Sequence, residues 1–225
     1  MGVVTDAWTW LTTGAHWTGG EGIGARLAEH AYVSALALLI AGAVALPLGL
    51  WLGHLGRGGA LAVNVSNVGR AVPVFAVLAL FMVSPLRNAG YVPTVTALVL
   101  FAVPPLLTNA YVGVREVDRA AVRAARGMGM TGGQVFRRVE LPLAAPVVMT
   151  GIRSAAVQVV ATATIAAMVG QGGLGRIITA GFALYDTAQV VAGAVLVALL
   201  ALAVEGLLVG LDRLLVPRPP RPPRT

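Results

Sequence analysis

Few side chains in this sequence have the types and spacing that covalent or metal chemistry requires. All 16 basic residues are arginine, which excludes lysine Schiff-base catalysis and a lysine-containing phosphate loop. There is no cysteine, and His16, His30 and His54 are too scattered to suggest a metal cluster. We therefore expect no catalytic residue, no metal site and no cofactor bound by the chain itself.

Two stretches match the pattern G-x-G-x-x-G, which in a nucleotide-binding fold places a phosphate at the start of a helix. They begin at Gly127 and Gly170. The first lies in a polar helical loop, and the second follows a membrane-length apolar run rather than a short strand. Neither context fits a dinucleotide site.

The elements that hold these residues are too hydrophobic for one water-soluble core. The 225 residues are 57% hydrophobic and 11% charged, whereas ordinary soluble domains are roughly 25% charged. A helix needs about 20 mostly apolar residues to cross the hydrocarbon layer. Five runs approach that length, at residues 31–53, 65–84, 92–113, 146–169 and 188–211. The sequence thus predicts an all-α integral membrane protein with about five transmembrane helices.

The arginines are unevenly distributed, and this predicts the orientation, because short loops rich in positive charge stay in the cytoplasm. With the N-terminus outside, 11 arginines fall in inner loops and the tail, and three, Arg26, Arg87 and Arg176, fall outside. Residues 1–30 are then an extracytoplasmic lead-in and 31–212 a transmembrane domain. Residues 213–225 form a basic, proline-rich cytoplasmic tail near anionic membrane lipid. Such arginines require no nucleic-acid partner.

The lead-in does not resemble a cleaved signal peptide, since it has acidic residues and no basic start followed by an apolar region. Its tryptophans, Trp8, Trp10 and Trp17, suggest a short segment at the membrane surface. A disordered terminus is the alternative.

The one sizeable polar segment between the runs is the inner loop, residues 114–145. From Glu116 to Met130, small and apolar residues repeat at helical spacing while arginines line another face. Gly129 interrupts this helix, and Thr131 begins a capping box that predicts a second short helix, which Pro142 is expected to end. The loop should present two helices with a sharp bend. On charge pattern alone, a lipid-facing connector is the more common interpretation.

The same loop resembles the E-A-A-x3-G-x9-I-x-L-P signature of permease subunits of ATP-binding cassette importers. The matching residues are Arg123, Ala124, Ala125, Gly129, Val139, Leu141 and Pro142. The stretches AARGMGMTGGQVFRRVELPLAAPVVMTGIRSA, NVGRAVPVFAVLAL and MVGQGGLG further resemble the branch that imports glycine betaine, choline, carnitine and related osmoprotectants. This likeness extends from about residue 16 to residue 211.

The resemblance implies a type I importer permease in the plasma membrane of a bacterium. Residues 114–145 would hold the coupling helices for a separate ATP-binding subunit, and that subunit would bind ATP and Mg²⁺. A second permease subunit and an extracytoplasmic substrate-binding protein would complete the assembly. The implied coupling residues are Arg123, Ala124, Ala125, Gly129, Met130, Thr131, Val139, Leu141 and Pro142. Because Arg123 replaces the family's glutamate, Glu116 or Asp118 is expected to provide the acidic contact.

Polar residues inside the apolar runs need a partner or an aqueous cavity, since unpaired polar groups are costly in hydrocarbon. We select Arg70, Gln158 and Thr162 as candidates that line the translocation path. Hydrogen bonding between helices is the alternative, and it is favoured for the threonine. Gly170, Gly172, Gly173 and Gly175 predict a non-helical turn near the outer gate, with a plain flexible loop as the alternative.

The resemblance therefore implies the permease of an ATP-driven importer of quaternary ammonium osmoprotectants. Aromatic residues make up 6% of the chain, mostly near span ends, and they form no evident cage for a trimethylammonium group. Ligand choice is therefore assigned to the binding protein. One alternative is an importer permease for another small solute such as an amino acid. Others are an ATP-independent channel or secondary transporter, although no inverted repeat is evident, and a membrane-embedded enzyme, although the spans lack its acid and histidine cluster.

Overall fold

The computed structural model describes residues 2–215, apart from the side chains of Val63, Arg70 and Leu215. Within that range the chain is helical and contains no strand. The α-helices are α1 (Val3–Thr12), α2 (Ile23–Leu55), α3 (Gly59–Ala71), α4 (Val74–Met82), α5 (Val92–Arg115), α6 (Arg119–Gly127), α7 (Gly132–Val135), α8 (Leu141–Ala163), α9 (Gly175–Leu184) and α10 (Thr187–Leu215). The predicted tail lies outside the described residues from 216 onward.

Four helical segments are long and apolar enough to cross a membrane. They are Ile23–Leu55, Val92–Arg115, Gly132–Val169 and Thr187–Leu214. The second predicted run is instead split into α3 and α4, which meet at 73° and give a fifth crossing if they form one span. The break falls at Val72 and Pro73, both extended, because proline lacks an N–H and disfavours helix in the residue before it. The all-α membrane fold class is confirmed.

The lead-in contains a short helix rather than a disordered terminus. Residues Val3–Thr12 form α1, which packs against α10. Trp17 donates its indole N–H to the Leu11 carbonyl at 2.7 Å. Since α2 already begins at Ile23, the last residues of the 1–30 segment belong to the first long helix.

Helices α2, α5 and α8 form the centre of the fold, with α5 packed against both of the others. Close approach depends on glycine. A Cβ at Gly49 of α2 would lie 2.7 Å from the Leu107 carbonyl oxygen of α5, and one at Gly53 would lie 2.9 Å from the Tyr111 carbonyl oxygen. Small residues at contacts allow two helix backbones to pack closely in a membrane. This arrangement holds the ends of the three helices at fixed positions.

The prediction that Pro142 ends a helix was wrong. A π-helical segment, Phe136–Glu140, joins α7 to α8, and the helix runs without interruption from Gly132 to Val169. Pro142 lies in the first turn of α8. The wider hydrogen-bonding pattern of the preceding π segment accommodates a residue that cannot donate its backbone N–H.

Candidate functional site

The loop between α5 and α8, which we call the coupling loop (residues 116–140), bends at Gly129 as predicted. Gly129 has a φ of +84°, in the left-handed region that residues with a Cβ rarely adopt. Its N–H donates to the Arg126 carbonyl at 3.0 Å, and the Met130 N–H donates to the Ala125 carbonyl at 3.2 Å. These two bonds form a Schellman motif, the usual way a helix ends at glycine. The motif stops α6 and reverses the chain.

The helix starts on either side of the bend are capped by side chains. The Asp118 carboxylate accepts the Ala120 N–H at 2.8 Å and begins α6. The Thr131 N–H donates to the Gln134 side-chain oxygen at 2.8 Å, and the reciprocal bond completes the predicted capping box. Asp118 therefore has a local role in helix capping, whereas Glu116 is exposed.

The predicted coupling residues divide between two faces of the coupling loop and the first turn of α8. Ala125 is buried with Val114, Val122 and Val135, and Met130 and Val139 pack against this cluster; Leu141 is half-buried. The remaining residues are exposed, namely Arg123, Ala124, Gly129, Thr131 and Pro142. One face thus packs on the membrane helices, and the other is open to a partner. Met128 is 74% exposed on the open face.

An acid–histidine pair that the sequence reasoning missed attaches this loop to α2. Glu140, in the motif between Val139 and Leu141, is 1% exposed, and its carboxylate lies 2.5 Å from the His54 Nδ1. The His54 ring also meets the edge of Phe136, with centroids 5.3 Å apart. The sequence did contain one signal for this pair. An acidic residue between apolar motif residues is expected to be buried, and a buried carboxylate requires a partner. The pair joins the C-terminal end of α2 to the start of α8.

At the opposite end of α8, the glycine-rich segment forms the predicted non-helical turn. Gly170 and Gly173 have φ of +83° and +82°. Gly173 is close to α2, because its N–H donates to the Glu29 carboxylate at 2.7 Å. Gly172 approaches so closely that a Cβ there would overlap that carboxylate. Gly175 is buried and begins α9.

His30, the residue next to Glu29, holds the same turn through a second set of hydrogen bonds. The Leu174 N–H donates to the His30 Nδ1 at 3.2 Å, and the His30 Nε2 lies 2.9 Å from the Val160 carbonyl. Both contacts require the neutral tautomer with its proton on Nε2. His30 is 2% exposed. We refer to Glu29, His30 and the segment 172–174 as the glycine latch; the sequence analysis assigned no role to either side chain.

The structure describes the side chains of two of the three candidates for the translocation path. Gln158 and Thr162 lie one turn apart on α8 and are half-buried, and neither side chain has a hydrogen-bond partner within residues 2–215. The side chain of Arg70 lies outside the described part of the chain. Arg153, the charged residue of α8, is paired, because its Nε donates to the Glu205 carboxylate of α10 at 3.0 Å.

Comparison with known proteins agrees with this architecture. Residues 45–218 match the family described as the binding-protein-dependent transport system inner membrane component. The glycine betaine/carnitine/choline transport system permease protein OpuCB of Bacillus subtilis is 35% identical, over 86% of this chain and 88% of its own. The choline transport system permease protein OpuBB of Bacillus subtilis is 37% identical, over 84% of this chain and 86% of its own. The carnitine transport permease protein OpuCB of Listeria monocytogenes is also 37% identical, with the same coverage.

Solved structures share the fold at lower identity. An inward-facing structure of the MetNI methionine ABC transporter superposes with a TM-score of 0.74 at 20% identity, covering 87% of this chain and 96% of the other. An amino acid ABC transporter solved with histidines gives a TM-score of 0.68 at 19% identity, covering 95% and 98%. The helical arrangement around the coupling loop is therefore one found in solved transporters.

Proposed function

Since this chain belongs to the family of binding-protein-dependent transport system inner membrane components, we propose that it is the permease subunit of an ATP-driven importer of glycine betaine, choline, carnitine or related osmoprotectants. The observation that carries the cargo class is the 35–37% identity to permeases named for these solutes, over 84–86% of this chain. The solved transporters named for methionine and amino acids are 19–20% identical. Because their likeness shows the fold alone, an amino-acid cargo ranks second.

The coupling loop receives the force of ATP hydrolysis from a separate ATP-binding subunit. Support comes from the division of its residues, since Arg123, Ala124 and Gly129 are exposed while Ala125 and Val139 pack inward. The partner subunit binds ATP and Mg²⁺, and this chain holds neither. Glu116 is exposed beside α6 and provides the acidic contact in place of the family's glutamate.

Motion of the loop reaches two membrane helices by different routes. Its continuous connection through Phe136–Glu140 carries motion into α8. The His54–Glu140 pair carries it into α2. A buried, hydrogen-bonded pair transmits displacement because separating the two groups would leave a desolvated charge unpaired.

The translocation path lies between this chain and a second permease subunit. Gln158 and Thr162 support this assignment, because half-buried polar groups without an internal partner need water, ligand or another protein in a membrane. Arg70 remains a candidate on sequence grounds. In this assembly the N-terminus is extracytoplasmic, the C-terminus is cytoplasmic, and a substrate-binding protein delivers the solute from outside.

The test is reconstitution of this chain in lipid vesicles with its candidate ATP-binding subunit and binding protein. Uptake of labelled glycine betaine, choline, carnitine and an amino-acid panel is measured with and without ATP. We expect ATP-dependent uptake of a quaternary ammonium solute that requires the binding protein. Uptake of amino acids alone would replace the cargo assignment, and uptake by this chain without the ATP-binding subunit would refute the coupling assignment.

A further inference from the structure

An ion pair inside the membrane-spanning part of the chain belongs neither to the coupling loop nor to the glycine latch. The Arg153 Nε of α8 donates to a carboxylate oxygen of Glu205 in α10 at 3.0 Å, and the Arg153 Nη2 contacts the same oxygen. Both residues lie about 10 Å inside the nearer end of their apolar runs, at about 1.5 Å per residue. Ionisable residues within a span usually pair with each other and face the bundle interior or an aqueous cavity. The pair therefore marks a polar region inside the membrane.

This pair is not sealed between its two helices. The side chains of Arg153 and Glu205 are 32% and 31% exposed. A guanidinium group has five N–H donors, and within residues 2–215 only the Nε and Nη2 of Arg153 donate, both to one oxygen of Glu205. A ligand can therefore reach the remaining donors of Arg153 without breaking the pair.

The helix faces beside the pair show which side of it is polar. Helices α2, α5 and α10 leave one face of α8 uncovered, and Thr150 and Arg153 are neighbours there, since they are three residues apart. The other residues of this face are Ser154 and Ala161, which are exposed, and Gln158, which is half-buried. The uncovered face of α10 instead carries the exposed leucines Leu199, Leu202, Leu207 and Leu214. Leucine suits lipid, whereas hydroxyl, amide and guanidinium groups in a membrane require water, ligand or protein. Arg153 is thus placed beside the proposed translocation path.

The charges of the pair indicate which solutes it suits. Arg153 and Glu205 are together electrically neutral, and an uncompensated charge inside a membrane is costly. A solute with one carboxylate and one cationic group, such as glycine betaine or carnitine, leaves this balance unchanged. Its carboxylate also matches the planar N–H donors of a guanidinium group. Choline has no carboxylate and would add a positive charge without a partner.

We propose that Arg153 and Glu205 form a selectivity site in the translocation path that favours zwitterionic solutes over cationic ones. The solute carboxylate contacts the unused N–H donors of Arg153, and its cationic group lies on the side of Glu205. This gives the permease a solute preference of its own, in addition to the choice made by the binding protein. The inference rests on the proposed function, which provides the osmoprotectant cargo and the path beside α8.

The test uses two variants that each break the pair but leave opposite charges. Arg153→Gln leaves the carboxylate of Glu205 alone, and Glu205→Gln leaves the guanidinium of Arg153 alone. The complex of this chain with its ATP-binding subunit, in nanodiscs and without binding protein, is dialysed against labelled glycine betaine or labelled choline, and the bound solute is counted. Arg57→Gln, in the connection between α2 and α3, removes an arginine outside the spans and is the control.

We expect the wild type and Arg57→Gln to bind glycine betaine more tightly than choline. Arg153→Gln should lower the affinity for glycine betaine by about tenfold or more, because a hydrogen bond between charged groups is lost, and should not weaken choline binding. Glu205→Gln should shift the preference in the opposite direction, since an unopposed guanidinium repels choline. The ratio of the two affinities decides the question, because loss of a purely structural contact between α8 and α10 would weaken the binding of both solutes alike.

Two results would overturn the inference. One is that both variants change the affinity ratio in the same direction or leave it unchanged, which would make the pair a structural contact only. The other is a wild-type complex that does not bind glycine betaine. ATP-dependent uptake of glycine betaine by the wild type with its binding protein is measured separately in vesicles. Absence of that uptake refutes the proposed function, whereas uptake combined with an unchanged affinity ratio refutes the selectivity site alone, so the two failures are distinct.

Discussion

Substitution of Gly172 by alanine is a direct steric test of the glycine latch. The backbone of Gly172 is not in the left-handed region, so alanine causes no backbone strain there. Its Cβ would, however, overlap the carboxylate of Glu29. The carboxylate must move away, and it then loses its bonds to the Gly173 N–H, to Arg26 and to Tyr91. One methyl group thus removes a set of contacts in another helix.

The expected loss in the free energy of unfolding follows from how deeply the groups that lose their hydrogen bonds are buried. The Gly173 N–H is buried, and a buried donor that loses its acceptor costs about 1–3 kcal/mol. The Arg26–Glu29 ion pair has side chains 14% and 18% exposed, so solvent screens it in part, and it adds at most about 1 kcal/mol. Water regained by the displaced carboxylate offsets some of this loss. We therefore expect the free energy of unfolding to fall by about 1–3 kcal/mol.

The assay is denaturant unfolding in detergent, arranged as a double-mutant cycle of Gly172→Ala with Glu29→Gln. Once alanine has displaced the carboxylate, the second substitution should add little. Gly20→Ala is the matched control, since Gly20 is also outside the left-handed region and a Cβ there would meet no neighbouring atom within 4 Å. Amide hydrogen exchange at residues 172–174 should rise in Gly172→Ala alone. If Gly172→Ala is as stable as the control, or if the cycle is additive, the latch as described is refuted.

Three further substitutions test the coupling loop. Gly129→Val should preserve insertion and expression yet uncouple ATP hydrolysis from uptake, since a valine with φ of +84° is strained by about 1–2 kcal/mol or more. Gly133→Val is the control. Wild-type uptake per ATP in Gly129→Val would count against this role. Glu140→Ala should lower the free energy of unfolding by about 2–4 kcal/mol, while Glu140→Gln, which still accepts a hydrogen bond from His54, should lose less; equal losses would argue against the pair. Asp118→Ala should destabilise α6 by about 0.5–2 kcal/mol, measured as faster amide exchange at Ala120, with Asp118→Asn near wild type; unchanged exchange would disprove the cap.

Features that depend on a few neighbouring residues could be predicted from the sequence, and contacts across the chain could not. Gly129 and the Thr131 capping box act within one helical turn, and both form as predicted. The His54–Glu140 contact joins residues 86 positions apart, and Glu29 contacts a residue 144 positions away. No periodic pattern in the sequence indicates either contact, because both form only when α2 packs against α5 and α8.

The error at Pro142 has a different physical origin. Proline ordinarily ends a helix, because its missing N–H and its ring disrupt the preceding turn. Here five residues of π-helix precede it and absorb that disruption. A π segment has no distinctive composition, so the local rule gave the wrong result. The second apolar run shows the opposite case, since Pro73 did break the helix and produced the 73° bend between α3 and α4.

The uninterrupted helix from Gly132 to Val169 makes one rod of two regions that the sequence presents as separate. Its 38 residues correspond to roughly 57 Å at about 1.5 Å per residue. The rod begins at the capping box beside Gly129 and ends where Gly170 starts the latched turn. Because this rod is continuous and α8 packs along α5, a displacement of its Gly132 end would be carried to its Val169 end, where the latched turn begins.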